Sequence, residues 1–402
     1  MRSRTRVVAL ISAVLLLLGC TAAVAIPVPN PDPCDAKYTS NTIANLRAYD
    51  DCRFDRIEQG IPGNQTVTVT PAPVTVTAPP VTSTVTVTAS ASPTPTQPTT
   101  PTSTSASPTS TTTSPPPTVL GWQITADNVG LKPHGLTCAD LPAYTGPSRP
   151  AAGTVISGQR ITGAVYLTAG NITIEKSCFQ PTAIAKGIAI VNTADSDQGK
   201  LTPGPGPVVI RDSEFDGSKL SAELAAWATG FIGVADLQRN YFHDLGSGIA
   251  LMRTGTSQNS LVEGNYVTGL RAWGNPASDG NHNDAFTIRD FDFAKAGRTA
   301  TIRNNRFDCD GGNDTGALFI QTYSGPIGNV TISGNLLEGG GYQVALEEKN
   351  YPYSNMRITN NRMSGTGWGA GYVTRGEGWR AQAENFIYDP TKADGKGRAV
   401  NF

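Results

Sequence analysis

The chain has 402 residues, and its 31 lysines and arginines nearly balance its 32 aspartates and glutamates, giving a formal net charge of −1. Such a balance gives no basic footprint for nucleic acid, so we expect no nucleic-acid partner. The length allows several segments of different character, one of them long enough to bury a sizeable core.

Residues 1–26 predict an export signal or an anchor. Three arginines within residues 2–6 precede the apolar run 7–18, which is the pattern of a secretory signal. The sequence LLGC that ends at Cys20 resembles a bacterial lipobox and predicts lipidation of Cys20. An ordinary cleavage site (AVA, residues 23–25) competes with it, and a retained membrane span is the third alternative. In each case we expect an extracellular or envelope-anchored protein that touches a membrane only through this segment.

Two further segments precede the main domain. Residues 27–63 contain Cys34 and Cys52, for which we predict a disulfide within a small helical segment, with a marginal helix beside the anchor as the alternative. Residues 64–118 consist almost entirely of Thr, Val, Pro, Ser and Ala and carry no charge. The interleaved prolines deny this stretch a β-ladder, so we predict a disordered, extended linker that reaches on the order of 150 Å.

Residues 119–402 form the predicted folded domain and contain an internal repeat. In each copy an apolar residue is followed three positions later by Asn or Ser, and two positions after that by another apolar residue. Eight copies fit this frame, and their lead apolar positions are 25 to 40 residues apart. The copies begin at Ile174, Ile210, Leu237, Val262, Ile302, Ile332 and Ile358, and a worn copy surrounds Asn385 and Ile387.

The repeat predicts strands and bends. Alternation of apolar and polar residues, as in Val330-Thr331-Ile332, is the period of a strand with one buried face. The Asn that follows tolerates left-handed geometry, so we place it at a bend, and equivalent Asn side chains in stacked coils can bond one another in a ladder. Because one coil cannot cover its own apolar face, we predict a β-solenoid. The density of Gly and Asn argues against a helical repeat, and the Asn register favours the solenoid over a β-sandwich.

The cysteines of this domain predict one disulfide. Cys138 precedes the first repeat copy and Cys178 lies within it, so we predict a bridge between them that closes the N-terminal end of the solenoid. Cys309 is then left as a buried thiol, with intermolecular pairing as the alternative.

Four segments carry a resemblance to a known family: GTVISGQRITG (153–163), NITI (171–174), NHNDA (281–285) and GPIGNVTISGN (325–335). They resemble right-handed parallel β-helix proteins of the pectate-lyase-like superfamily, in particular its secreted bacterial and phage members. The resemblance implies an all-β fold with a polysaccharide ligand along its outer face. Lyase members hold Ca²⁺ with carboxylates and use an Arg or Lys base, so Ca²⁺ is the metal that the resemblance implies. Tail-spike members form trimers, so a trimer is one assembly that it allows.

The longest offset between copies, 40 residues, lies between Val262 and Ile302 and predicts a loop on the binding face. Its surplus contains Trp273, Asp279, Asn281, His282 and Asp284. A His with nearby carboxylates can transfer protons or join a metal site. The alternative is a polar turn whose side chains cap backbone groups.

A second candidate is an outward column of side chains. If Phe286, Leu318 and Val344 point into the core, then Arg289, Gln321 and Glu347 point outward, about 4.8 Å apart from coil to coil. Such a surface suits sugar hydroxyls, but it is also what an ordinary strand face needs to stay soluble.

Two functions therefore compete. The first is a polysaccharide lyase-like or hydrolase-like enzyme, with a lyase on acidic glycans favoured. Its catalytic residues would be His282, Asp284, Arg289, Glu347 and Lys349, its sugar contacts Trp273, Gln321 and Tyr323, and its metal ligands Asp279 and Asp314. The second is a non-catalytic glycan-binding or adhesive surface protein, which the absence of a complete lyase motif favours. His134 and His243 are interpreted as structural under both.

Overall fold

A computed structural model describes residues 119–193, 206–252, 258–291, 298–365 and 367–402. The predictions for the three segments that precede residue 119, including lipidation of Cys20 and the Cys34–Cys52 bridge, lie outside the described residues. Within the described part, none of the helices has the length and apolar character that a membrane crossing requires.

The chain winds into nine successive coils, and each of the first eight contributes three short strands. Coil 1 contains β1 (Val155–Ser157), β2 (Arg160–Ile161) and β3 (Val165–Tyr166); coil 2 contains β4 (Ile172–Glu175), β5 (Cys178–Phe179) and β6 (Ala189–Asn192); coil 3 contains β7 (Val208–Arg211), β8 (Glu214–Asp216) and β9 (Thr229–Gly233); coil 4 contains β10 (Asp236–Gln238), β11 (Tyr241–His243) and β12 (Ser247–Leu251). Coil 5 contains β13 (Ser260–Glu263), β14 (Tyr266–Thr268) and β15 (Asn283–Ile288); coil 6 contains β16 (Ala300–Arg303), β17 (Arg306–Cys309) and β18 (Asp314–Gln321); coil 7 contains β19 (Ile327–Ser333), β20 (Leu336–Gly339) and β21 (Tyr342–Glu347); coil 8 contains β22 (Tyr353–Thr359), β23 (Arg362–Ser364) and β24 (Gly369–Thr374). Coil 9 contains β25 (Ala381–Ala383) and β26 (Phe386–Tyr388), and β27 (Lys396–Ala399) ends the fold. The helices are short: an α-helix at Ala222–Trp227 and 3₁₀ turns at Gly121–Gln123, Lys132–His134 and Cys138–Asp140.

Stacking of the coils produces three parallel sheets. Sheet 1 contains the first strand of each coil, from β1 to β25; sheet 2 contains the second strands and β27; sheet 3 contains the third strands, from β3 to β24. Strands of successive coils pair in parallel, and β27 alone among the described strands pairs antiparallel, with β26. The structure therefore confirms the predicted all-β solenoid, a parallel β-helix.

The repeat frame fixes the core. The lead residues Ile174, Ile210 and Leu237 are register partners in sheet 1, and the later copies continue the same row. The second apolar positions stack in sheet 2, where the ring centroids of Phe179 and Phe215 are 4.5 Å apart and those of Phe215 and Phe242 are 4.0 Å apart. These side chains are fully buried.

The amide positions form the predicted ladder at the bend between sheets 1 and 2. Five asparagines each donate their side-chain amide to the Asn of the next coil, and all five are 0% exposed: Asn240, Asn265, Asn305, Asn335 and Asn361. In each step the backbone N–H and the side-chain Nδ2 of one Asn donate to the Oδ1 of the next, as from Asn265 to Asn305 at 2.9 Å each. The Nδ2 also donates to a carbonyl of the preceding coil, as from Asn305 to Val262 at 2.9 Å. Buried polar groups of the bend are thereby paired.

The structure corrects the expected geometry of this bend. The left-handed residue is the one before each Asn: Arg239, Asn304 and Asn360 have φ of 53°, 55° and 54°. At Gly264 and Gly334, with φ of 70° and 69°, glycine adopts this conformation without a Cβ penalty. The residue before each Asn takes the left-handed conformation that makes the bend, and the Asn that follows it keeps its N–H directed at the next coil.

An unpredicted feature is a strap, residues 121–138, that runs along the outside of the solenoid towards coil 1. Its start is tied to coil 7, where the N–H of Gly121 donates to the carbonyl of Gly334 at 2.8 Å. Its middle is tied to coil 4 through the N–H of Gly130 and the carbonyl of Arg239, also at 2.8 Å. Its end is bound covalently to coil 2 by the Cys138–Cys178 disulfide, with a Cα–Cα distance of 5.3 Å.

The predicted disulfide is thus confirmed, and it fastens the strap as well as the N-terminal coils. Cys309 is a free, buried thiol, as predicted. Near the start of the strap, the guanidinium of Arg362 lies 4.2 Å from the ring centroid of Trp122. Arg362 is only 1% exposed, so this contact is part of the interior that the strap covers.

The ladder generates a stability prediction. Asn305→Ala removes the acceptor of the Asn265 N–H and the donor to the Val262 carbonyl, leaving both backbone groups buried and unpaired. We expect the free energy of unfolding to fall by about 3 kcal/mol or more. Urea unfolding followed by circular dichroism measures this change. Asn259→Ala is the matched control, because the Oδ1 of this exposed Asn also accepts a backbone N–H of the next coil, that of Thr299 at 2.9 Å, but water can replace it. We expect a loss below about 1 kcal/mol for the control, and similar losses in both variants would contradict the role of the ladder.

The strap generates a second prediction. The double variant Cys138→Ala/Cys178→Ala opens a crosslink between residues 40 apart in sequence, which stabilises the folded state by roughly 4 kcal/mol in the loop-entropy account. We expect a lower urea midpoint for the variant. Adding a reducing agent should lower the urea midpoint of the wild type and leave that of the variant unchanged. If the wild type and the variant already have the same midpoint without reducing agent, the prediction is wrong.

Candidate functional site

The outer face of sheet 3 brings most of the candidate residues together. Phe286, Leu318 and Val344 are register partners and are fully buried, so they point into the core as expected. Three residues further on, Arg289, Gln321 and Glu347 occupy one outward column in coils 5, 6 and 7.

These three side chains are bonded in series. The guanidinium of Arg289 donates to Oε1 of Gln321 at 2.7 Å, and Nε2 of Gln321 donates to Oε2 of Glu347 at 2.7 Å. Gln321 is only 1% exposed, which the sequence did not indicate. Hydrogen bonds to the coils on both sides hold the amide, so its orientation is fixed and it in turn orients the two charged ends.

Arg289 is the centre of the cluster. Its guanidinium lies 5.3 Å from the ring centroid of Phe319 and 5.9 Å from that of Tyr323. Its second terminal nitrogen is 3.9 Å from Oδ2 of Asp284, whose side chain is 9% exposed against 26% for Arg289. A guanidinium held by an amide, a carboxylate and two rings is positioned before any ligand arrives.

Tyr323 lies between two cations. The ammonium of Lys349 is 5.4 Å from the centroid of its ring, close to the distance of Arg289 from the same ring. The backbone of Lys349 is held by Thr322, whose hydroxyl accepts the Lys349 N–H at 2.9 Å. Burial raises the pKa of Tyr323 although the charge of Arg289 works the other way, so the phenol stays protonated at neutral pH and can donate a hydrogen bond.

His282 lies at the opposite end of β15. It precedes the strand, whereas Arg289 follows it, and seven extended residues place them roughly 20 Å apart. The Nδ1 atom of His282 lies 3.2 Å from the Thr315 hydroxyl. Asp284, two residues after His282, is the candidate carboxylate that reaches the guanidinium, at 3.9 Å.

The two residues proposed as metal ligands serve local turns. Asp314 accepts the N–H groups of Gly311 and Gly312 at 2.6 and 3.0 Å, while burial, the larger influence, raises its pKa. Asp279 is exposed and accepts the N–H of Asn275 at 3.2 Å, a hydrogen bond that lowers its pKa. In the described residues, the groups of three or more candidate ligand atoms within 4.8 Å of one another include neither carboxylate.

The 40-residue offset forms the predicted loop, which joins β14 to β15 beside sheet 3. Asn281 stabilises it by donating to the carbonyl of Arg271 at 2.9 Å and accepting the Trp273 N–H at 2.7 Å. Trp273 is 42% exposed at this edge. Hydrogen bonds to Asn281 and Asn313, which precede β15 and β18, place this indole at the His282 end of sheet 3, where it is available for stacking on a sugar ring.

A cluster that the sequence analysis missed lies on the outer face of sheet 2. His243 contacts Glu214 through Nε2 at 3.1 Å and Asp244 through Nδ1 at 2.7 Å. Burial, the largest influence on its pKa, disfavours the charged ring, but the hydrogen bonds to these two carboxylates outweigh it and the pKa of His243 is raised. The repeat frame could have predicted this contact, because Asp216 and His243 directly follow the aligned Phe215 and Phe242.

Comparison with known proteins did not identify a related protein. No protein-family model matches the chain, and neither the curated proteins nor the solved structures contain a significant match to it.

Proposed function

We propose that this protein binds an acidic polysaccharide along the outer face of sheet 3, as an exported member of the right-handed pectate-lyase-like β-helix proteins that its sequence resembles. The observation that carries the proposal is Tyr323 flanked by Arg289 and Lys349, next to the Arg289–Gln321–Glu347 series.

The chemistry of the cluster suits a uronic acid. A guanidinium pairs with a carboxylate through two parallel hydrogen bonds, and the nearby ammonium adds a second positive charge. The ring of Tyr323 offers an apolar face for the C–H groups of a sugar, while its hydroxyl donates a hydrogen bond. Glu347 and Gln321 supply acceptors and donors for sugar hydroxyls. Because successive coils present this surface about 4.8 Å apart, the ligand lies along the solenoid axis.

A second candidate function is cleavage of the bound chain, which the 3.9 Å approach of Asp284 to Arg289 favours. In an elimination reaction a base removes the proton from the carbon next to the uronate carboxylate, the bond from the adjacent carbon to the glycosidic oxygen breaks, and a carbon–carbon double bond forms. The departing oxygen takes a proton from water and leaves as a hydroxyl group. Arg289 would neutralise the carboxylate as negative charge develops, and Asp284 would accept the proton. In this assignment His282, whose Nδ1 lies 3.2 Å from the Thr315 hydroxyl, takes no part in the step.

The binding proposal predicts a loss of affinity in one variant. Arg289→Gln should weaken binding of uronic-acid oligosaccharides at least tenfold, because one charge-assisted hydrogen-bonding pair is worth about 1.5–3 kcal/mol. Isothermal titration calorimetry measures the dissociation constants. Arg303→Gln is the matched control: it removes the same charge from the outer face of sheet 1, where Arg303 pairs with Glu263 at 2.8 Å. Equal loss in both variants, or no binding by the folded wild type, would refute the proposal.

The cleavage candidate predicts a separate result. If unsaturated product appears in the ultraviolet, Asp284→Asn should reduce its rate at least about 100-fold, with binding retained, and His282→Ala should change the rate by less than about threefold. Binding without product identifies the non-catalytic glycan binder. Loss of product in His282→Ala with an unchanged rate in Asp284→Asn would reverse the assignment of the base.

A further inference from the structure

The His243 cluster on sheet 2 has the composition of a metal site. Asp216 ends β8 in coil 3, His243 ends β11 in coil 4, and Asp244 is the next residue. One ligand atom from each of the three lies within 4.8 Å of the other two. Their side chains are 8%, 16% and 21% exposed, so the cluster is mostly buried but still borders solvent.

The surrounding side chains orient two of these donors. Glu214 holds Nε2 of His243 at 3.1 Å, which aims Nδ1 at the two aspartates, 2.7 Å from Asp244 and 3.8 Å from Asp216. Gln180 donates to Oδ2 of Asp216 at 2.6 Å and the N–H of Ser218 donates to Oδ1 at 2.7 Å, so this carboxylate is held with Oδ1 towards the imidazole. Carboxylates and amides that fix a ligand from behind are characteristic of metal centres.

The charge balance also favours a cation. Glu214, Asp216 and Asp244 contribute three negative charges, and Arg271, which pairs with Asp244, contributes one positive charge. With His243 protonated, the described residues that pair within the cluster carry a net charge of −1, and they carry −2 once an ion has displaced that proton. Such an excess in a mostly buried site is costly unless a positive ion offsets it.

We infer that Nδ1 of His243 and the carboxylates of Asp216 and Asp244 bind a divalent transition-metal ion. One imidazole nitrogen and two carboxylate oxygens are a ligand set that suits Zn²⁺, whereas Ca²⁺ prefers oxygen ligands throughout. The ion would displace the proton shared by His243 and Asp244 and would join coil 3 to coil 4. Cys138 lies 3.6 Å from Glu214, so the ion would stabilise the fold beside the disulfide that fastens the strap.

The test uses the untagged full chain, treated with a chelator and with accessible thiols alkylated. Equilibrium dialysis against Zn²⁺ should give about one ion per chain, and saturating Zn²⁺ should raise Tm by roughly 5 °C. No bound zinc at millimolar concentration would overturn the inference and leave a proton as the only occupant. Binding of glycans to sheet 3 is measured separately, so either proposal can fail without the other.

The chain has only three histidines, so single variants can identify the one that binds Zn²⁺. His243→Gln and Asp216→Asn should abolish the Tm shift, whereas His134→Gln and His282→Gln should retain it. If His243→Gln does not fold, NMR of the imidazole protons of the wild type serves instead. Zn²⁺ should shift one of the three histidine signals. The spectra of the folded His134→Gln and His282→Gln variants identify the other two signals, and hence that of His243. A Tm shift that survives in folded His243→Gln, or movement of a signal that belongs to His134 or His282, would refute the site.

Discussion

The fold depends on the hydrogen bond from one buried asparagine to the next. At the bend between sheets 1 and 2 the backbone has no strand partner for its N–H, and water is excluded. The Oδ1 of the following coil supplies the missing acceptor, as Asn335 does for Asn305 at 2.9 Å. Because an unpaired buried N–H costs about 1–3 kcal/mol, each coil is held in register with its neighbours.

That register has consequences far from the bend. Once the amides are aligned, every residue a fixed number of positions later is aligned as well, on sheet 2 and, where the intervening loop permits, on sheet 3. His243 meets Asp216 because each lies three positions after its ladder residue. Arg289 and Gln321 lie 24 and 16 positions after theirs, so they meet through the pairing of β15 with β18. A polar face of a β-helix is therefore a product of the core frame, and its chemistry depends on which residue types occupy the outward positions.

The sequence predicted those parts of the structure that repeat. The apolar rows, the amide ladder, the disulfide and the outward column of Arg289 all follow from a frame visible without coordinates. The strap had no such signal, since its segment has no period and is held by backbone groups such as the N–H of Gly121. Two other features depend on neighbours in space: the burial of Gln321, and the approach of three carboxylates to His243.

The strap also decides how the domain carries mechanical load. A pull on the chain that precedes Val119 is first borne at coil 7, where the backbone of Gly121 is tied to Gly334. If the strap contacts give way, the tension passes to Cys138 and through the sulfur bridge directly to coil 2. Coil 1 lies inside the covalent loop between the two cysteines, so it remains slack and cannot be unravelled from that end.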